Sequence, residues 1–251
     1  MPDPSALELL DAGLPAAVRG VFTTRPGGVS GPPYDALNLS SRSGDRPAPV
    51  QANRERLAGE LGVAPTDLIF AEQVHGAGVA VVERGAGRTP EGVPGVDALL
   101  TRDRRLALVV LAADCLPVLL ADPDAGVVAA VHAGRRGLVA GVLQAALRAM
   151  SALGAQPART SAVIGPSAGG CCYQLPPAMV EQVARAVPGT AARTRAGSPS
   201  VDLRAGAQGL LHSAGVAEVR HVDACTLEDA RFYSYRRDGA TGRHAGVVLL
   251  P

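Results

Sequence analysis

Three short segments of this sequence end or interrupt an apolar run with a side chain capable of chemistry. They are Gln73-Val74-His75-Gly76, Ala113-Asp114-Cys115-Leu116-Pro117 and Val131-His132-Ala133-Gly134. Each falls where a strand should meet a turn, the place from which rigid elements present functional groups. One cysteine and two histidines make a three-ligand zinc set with an open fourth position. That count suits catalysis, whereas structural zinc is closed by four ligands. Water at an open position has a lowered pKa and becomes a nucleophile near neutral pH. Asp114 is a candidate acid or base, or an orienting partner for a ligand. Cys115 lies 40 residues after His75 and 17 before His132, which matches no local metal motif. The same residues support a metal-free reading, with Cys115 as a thiolate nucleophile and His132 as its base. His75 favours the metal, because a dyad needs no second imidazole.

Arginines form a second constellation: Arg25, Arg136, Arg236, Arg237 and Arg243. Guanidinium groups bind phosphate in a bidentate way, and Gly27-Gly28, Gly134 and Gly242 would let an anion approach the backbone. All 24 basic residues are arginine, so abundance alone singles out none of them.

The elements that must hold these residues follow from patterning. Strands are expected at Val21–Thr24, Leu68–Gln73, Val79–Val82, Asp97–Thr101, Ala107–Ala112 and Pro117–Ala121. Asp122-Pro123-Asp124-Ala125-Gly126 reads as a hairpin turn into a strand at Val127–His132. These apolar runs should be covered on both faces. Further strands are expected at Ser161–Ile164, Val219–Val222 and Gly246–Leu250. Helices are expected at Pro49–Leu61, stopped by Gly62, at Gly137–Leu153, stopped by Gly154, and at Pro177–Ala186 and Leu203–Ala214. Arg84–Gly95 and Gly189–Ser200 read as loops. The sum is an α+β protein of layered αββα type, one domain over residues 1–251. Strict βαβ alternation is absent, which argues against Rossmann and TIM architectures.

Composition narrows the function classes. A net charge of +1 without a run of like charges argues against a nucleic-acid-binding face. The most apolar stretch, Leu106–Leu120, is interrupted by Asp114 and Pro117 and is too short to span a bilayer. No charged-then-apolar leader is evident around Asp3 and Glu8, so a cytoplasmic protein is expected. The four cysteines, Cys115, Cys171, Cys172 and Cys225, form no CxxC pair and suggest neither a disulfide scaffold nor a zinc ribbon. Cys171 and Cys172 are expected to be buried and inert.

Several motifs occur in order. They are Thr23-Thr24-Arg25-Pro26-Gly27-Gly28-Val29-Ser30, Leu37-Asn38-Leu39-Ser40, Gln73-Val74-His75-Gly76, Asp97-Ala98-Leu99-Leu100-Thr101 and Ala113 to Leu120. His132-Ala133-Gly134-Arg135-Arg136-Gly137, Gly165-Pro166-Ser167 and Phe232-Tyr233-Ser234-Tyr235-Arg236-Arg237 follow. Together, from about Val21 to Leu249, they resemble the laccase-domain family, also called multicopper polyphenol oxidoreductases and YfiH-like proteins. The resemblance implies a mixed-sheet α/β sandwich of cysteine-hydrolase-like kind and a zinc site at His75, Cys115 and His132. It implies phosphorolysis of adenosine, inosine and methylthioadenosine, with adenosine deamination as a second activity. On that basis Arg25 and Arg136 are assigned to phosphate, Asn38 to substrate and Asp114 to proton transfer. Arg135 stands where the family usually has Trp, and Gln174 where it has Glu, which bears on substrate preference. The older family name implies copper-dependent phenol oxidation, but five histidines are too few for a multicopper centre. One copper in the Cys/His site is an alternative, since copper outcompetes zinc on affinity. A metal-free amidohydrolase and a non-enzymatic metal-storage or partner-binding module are the others.

Overall fold

The computed structural model describes residues 6–85 and 92–251. Asp3 and half of the Gly/Pro-rich stretch expected as a loop at Arg84–Gly95 lie outside them. In chain order the strands are β1 (Leu9–Asp11), β2 (Arg19–Thr23), β3 (Leu68–Glu72), β4 (Val79–Val81), β5 (Val93–Pro94), β6 (Ala98–Thr101) and β7 (Ala107–Ala112). They continue with β8 (Leu116–Asp122), β9 (Val127–Ala133), β10 (Ser161–Ile164), β11 (Ala191–Arg193), β12 (Pro199–Val201), β13 (Glu218–His221) and β14 (His244–Leu249). The helices are α1 (Pro47–Leu61), α2 (Arg135–Val139), α3 (Val142–Ala152), α4 (Pro177–Ala186), α5 (Leu203–Ser213) and α6 (Tyr235–Asp238).

Two mixed sheets of six strands each form among the described residues, ordered β1-β2-β14-β7-β3-β5 and β13-β10-β8-β9-β6-β4. Their central strands are apolar on both faces because each sheet is covered twice. Phe22, Ile69, Leu108, Val110 and Val248 of the first sheet meet Leu99, Leu119, Val128 and Val163 of the second, all buried in one core. The outer face of the first sheet packs Val21, Phe70, Val109 and Val247 under Leu57 and Leu61 of α1. The outer face of the second packs Leu100, Val118, Leu120 and Val131 under Val142, Leu147, Val183 and Leu211 of α3, α4 and α5. The layering is therefore α, β, β, α, as the patterning implied.

Local chemistry accounts for the boundaries. Gly62 ends α1 at φ 70°, a left-handed conformation that costs glycine nothing, and its N–H returns to the last turn. In the β8–β9 hairpin, Asp122 Oδ1 accepts the N–H groups of Asp124 and Ala125, both at 3.1 Å. The helix expected over Gly137–Leu153 is instead two. Gly141, at φ 85°, ends α2 and caps α3, because its carbonyl accepts the N–H of Ala145 (2.9 Å). The loop expected at Gly189–Ser200 contains the hairpin β11–β12. Its first strand is alanine-rich and its second begins with proline, both of weak β propensity, and anchors beyond the hairpin set them: Ser200 Oγ donates to Gly170 O (2.7 Å) and Asp202 N–H to Thr190 O (2.8 Å).

Candidate functional site

The three chemically able segments converge at one end of the sandwich. His75 follows β3 of the first sheet, Cys115 lies in the crossover from β7 in the first sheet to β8 in the second, and His132 is near the end of β9. Their ligand atoms all lie within 4.8 Å of one another. Cys115 Sγ is 3.8 Å from His75 Nε2, and the two imidazole rings meet edge to face with centroids 4.8 Å apart. His75 is exposed, Cys115 half-buried and His132 buried, so the group opens to one side.

Asp97 organises this group, and patterning gave it no role. The carboxylate is fully buried at the head of β6. Its Oδ1 accepts from His132 Nδ1–H (2.8 Å) and His75 N–H (3.0 Å), and its Oδ2 from Gly76 N–H (2.7 Å) and Val74 N–H (3.3 Å). A carboxylate only accepts, so His132 carries its proton on Nδ1 and turns Nε2 towards the ligand group. Collecting three successive N–H groups requires a sharply curved loop, and His75 takes φ 60°. Gln73 extends the β3–β7 pairing with its side chain, donating to Leu111 O (2.8 Å) and accepting from Leu111 N–H (2.7 Å). The sequence signals for Asp97 were its place in the Asp97–Thr101 motif and a carboxylate heading an apolar strand, a position that demands buried partners.

Burial opposes charge on both His132 and Cys115, and their mutual attraction overrides it. Burial raises the Cys115 thiol, but the charge of His132, with hydrogen bonds to both imidazoles, brings it down to about 6. Burial lowers His132, but the Cys115 thiolate and the Asp97 carboxylate bring it up to about 9. Near neutral pH the bare site is a thiolate–imidazolium pair backed by a carboxylate.

The donor set fits a tetrahedral metal ion. Zinc at about 2.3 Å from sulfur and about 2.0–2.1 Å from nitrogen sets them roughly 3.6 Å apart, close to the 3.8 Å between Cys115 and His75. Gly134 leaves the cradle clear: a Cβ there would come within 2.9 Å of both Cys115 Sγ and His75 Cδ2.

This group lines a cavity of about 610 Å³, ample for a nucleoside-sized ligand. Four arginines, Arg42, Arg54, Arg236 and Arg243, share the lining with Tyr173 and Tyr235. Arg54 packs over Phe70 at 3.9 Å from the ring centroid and Arg236 over Tyr173 at 5.0 Å, while Arg42 pairs with Glu72. Arg243 has no carboxylate partner among the described residues, and its guanidinium donates to Thr241 O and Gly242 O (both 2.8 Å). Asp114 also lines the cavity, at φ 92°, with Oδ1 accepting from Thr226 Oγ1–H and Oδ2 from Arg236 N–H (both 2.7 Å).

The other residues assigned from the sequence lie elsewhere. Arg25 is outside the lining, bound to Asp35 (3.1 Å) and facing Asp238 (3.6 Å). Asn38 is fully buried, but its Oδ1 accepts the N–H of Arg243 (3.0 Å) and so positions a cavity arginine from behind. Arg136 is exposed and also outside the lining. Its neighbour Arg135 is beside Tyr173, whose phenol is raised by burial and by the Cys115 charge and drawn partly back by Arg135 and Arg236.

The family model described as multi-copper polyphenol oxidoreductase laccase matches residues 19–251. The chain belongs to this family. It is 53% identical to a purine nucleoside phosphorylase of Streptomyces griseus over 91% of this chain and 93% of that one. It is 47% identical to a purine nucleoside phosphorylase of Corynebacterium glutamicum over 93% of this chain and 95% of that one. The fold matches the crystal structure of YlmD from Geobacillus stearothermophilus with a TM-score of 0.89 and 32% identity, covering 99% of both chains.

Proposed function

We propose that this protein is a single-domain, zinc-dependent purine nucleoside phosphorylase that cleaves adenosine, inosine and methylthioadenosine and also deaminates adenosine. The observation that carries the proposal is one cavity lined by both the His75–Cys115–His132 group and four arginines. The names of the relatives support its phosphorolytic part. Phosphorolysis needs an anion pocket, and Arg243, which has no carboxylate partner among the described residues, is its centre, with Arg54 and Arg42 as further donors. This moves the phosphate role from Arg25 and Arg136 to arginines that line the cavity. Tyr173 and Tyr235 supply aromatic surface for the purine.

A phosphate oxygen forms a bond to ribose C1′ as the bond to the purine nitrogen breaks, and the electron pair leaves with the base. The departing base takes up the proton that hydrogen phosphate gives up as its oxygen bonds C1′. We assign proton transfer to Asp114, whose oxygens, each held by one donor, retain lone pairs. A zinc ion bound by His75, Cys115 and His132 would supply Lewis acidity and lower the pKa of water at its open position. His132 would be fixed as its ligand by Asp97. A several-copper oxidase is disfavoured: His212 and His221 lie on α5 and β13, away from this group, and His244 is fully buried with Nε2 against Pro166 O (3.4 Å).

A second reading is favoured by one observation. Cys115, His132 and Asp97 line up as nucleophile, base and orienting carboxylate, the arrangement of a cysteine amidohydrolase. Incubating zinc-loaded protein with adenosine and phosphate, then measuring adenine, ribose 1-phosphate and inosine, separates the two. Phosphate-dependent adenine release, lost together with zinc in Cys115→Ala and His132→Ala, is the expected result. Activity that survived a chelator would favour the cysteine hydrolase, and adenine release without phosphate would favour a simple nucleosidase.

A further inference from the structure

The three cysteines outside the cavity come together, although two are adjacent in sequence and the third is more than 50 residues away. Cys171 Sγ lies 3.0 Å from Cys172 Sγ and 3.7 Å from Glu228 Oε2, and all four donors, Cys225 included, lie within 4.8 Å of one another. None of the three thiols is fully buried, and Glu228 is exposed. Cys171 and Cys172 are therefore not the buried thiols expected, and Cys225 is likewise open to solvent in part.

We propose that Cys171, Cys172, Cys225 and Glu228 form a second metal site, which takes a zinc ion through three thiolates and one carboxylate. The donor count is four, the closed number of a structural zinc site, and sulfur-rich sets select zinc over harder cations. Tetrahedral zinc–thiolate bonds of about 2.3 Å set sulfurs roughly 3.8 Å apart. The cluster spans that spacing, and small side-chain rotations of Cys171 and Cys172 complete it. The surroundings suit a site with excess negative charge. Gly169 N–H donates to Cys225 Sγ (3.3 Å), and Arg195 holds Glu228 through two bonds (2.7 and 3.1 Å). A Cβ on Gly169 would lie 2.8 Å from Arg204 Nη2 and 3.2 Å from Cys171 Sγ, so glycine lets this guanidinium and the sulfurs close on the turn.

The site would clamp two segments that both serve the cavity. Cys172 precedes Tyr173 in its wall, and Cys225 precedes Thr226, whose hydroxyl holds Asp114. Without an ion, these segments are joined by the bridge between Ser167 and Cys225, the Gly169 N–H to Cys225 Sγ bond and the Cys171 contact with Glu228. An ion binding the folded chain only would stabilise it in proportion to zinc concentration.

The test is elemental analysis of full-length protein, reduced and dialysed against zinc, with intact mass measured alongside. Wild type should hold two zinc ions per chain, and Cys115→Ala and Cys225→Ser one each. Cobalt loaded into Cys115→Ala should show intense thiolate charge-transfer absorption that Cys225→Ser abolishes. Should Cys225→Ser fail to fold, Glu228→Gln keeps the thiols and should weaken zinc at this site by about 10–100-fold. Equal zinc in wild type and Cys225→Ser would overturn the proposal. So would a native Cys225 disulfide, seen as the loss of two hydrogens in unreduced protein, or wild-type zinc affinity in Glu228→Gln.

Discussion

Asp97→Asn tests how the site is held together. The carboxylate accepts four hydrogen bonds, two on each oxygen. Asparagine keeps the shape but replaces one acceptor with a donor, so two existing donors lose their partner in either amide orientation. With the NH₂ at the Oδ2 position, the N–H groups of Val74 and Gly76 face it and the curved His75 loop loosens. With the NH₂ at the Oδ1 position, it donates to His132 Nδ1, and the imidazole proton moves to Nε2, the atom needed as a ligand. Each unsatisfied group costs about 1–3 kcal/mol. The loop is partly exposed, which places the total near the lower end, roughly 2–3 kcal/mol, or about 5–10 °C in Tm for a chain of this size. Loss of the orienting partner should weaken metal binding by about 10–100-fold. Competition with a chromogenic chelator measures the second quantity and thermal unfolding the first. If Asp97→Asn matched wild type in both, Asp97 would not be what orients His132 and His75.

Three other outcomes follow from the geometry. Gly134→Ala places a methyl carbon 2.9 Å from both Cys115 Sγ and His75 Cδ2, so zinc stoichiometry should fall by one ion per chain with little loss of secondary structure by circular dichroism. Arg243→Gln should raise the KM for phosphate about tenfold or more, one charge-assisted contact being worth about 1.5–3 kcal/mol; deamination, which needs no phosphate, should persist. In metal-free protein the Cys115 thiol, lowered to about 6 by the two histidines, is thiolate above that pH. Alkylation by iodoacetamide should therefore rise through an inflection near pH 6 in place of the usual thiol range, and His132→Ala should move the inflection upward.

Much of the fold was legible because its strands are short apolar runs separated by glycine and proline. The hairpin at Asp122–Gly126 and the helices at Pro177 and Leu203 form where patterning put them. Gly141 was missed as a helix break because an isolated glycine inside an apolar helical pattern looks tolerable until its φ is known. The β11–β12 hairpin was missed because its partners are supplied by Gly170 and Thr190, far away in sequence or carrying no local signal. At the site, His75, Cys115 and His132 were visible as reactive types at strand ends. Asp97 was not, since nothing local reveals that four donors will converge on it. The arginines divided for a similar reason: Arg243 enters the cavity because Asn38 fixes its backbone, whereas Arg25 is already committed to Asp35 and Asp238.

The crossover from β7 to β8 means that the floor of the cavity belongs to both sheets at once, with Asp97 of the second sheet gripping the His75 loop of the first. That floor can shift only if the layers slide over one another, which their shared core resists. The walls have a different character. Ser41 and Arg42, the turn at Tyr173 and the short α6 are surface segments whose side chains can be exchanged with less disturbance to the layers beneath. Changes of substrate among relatives should therefore accumulate in the walls while the floor stays the same. Arg135 lies beside Tyr173 on this wall side, so loop exchange there is the natural route to altering which ligand the cavity accepts.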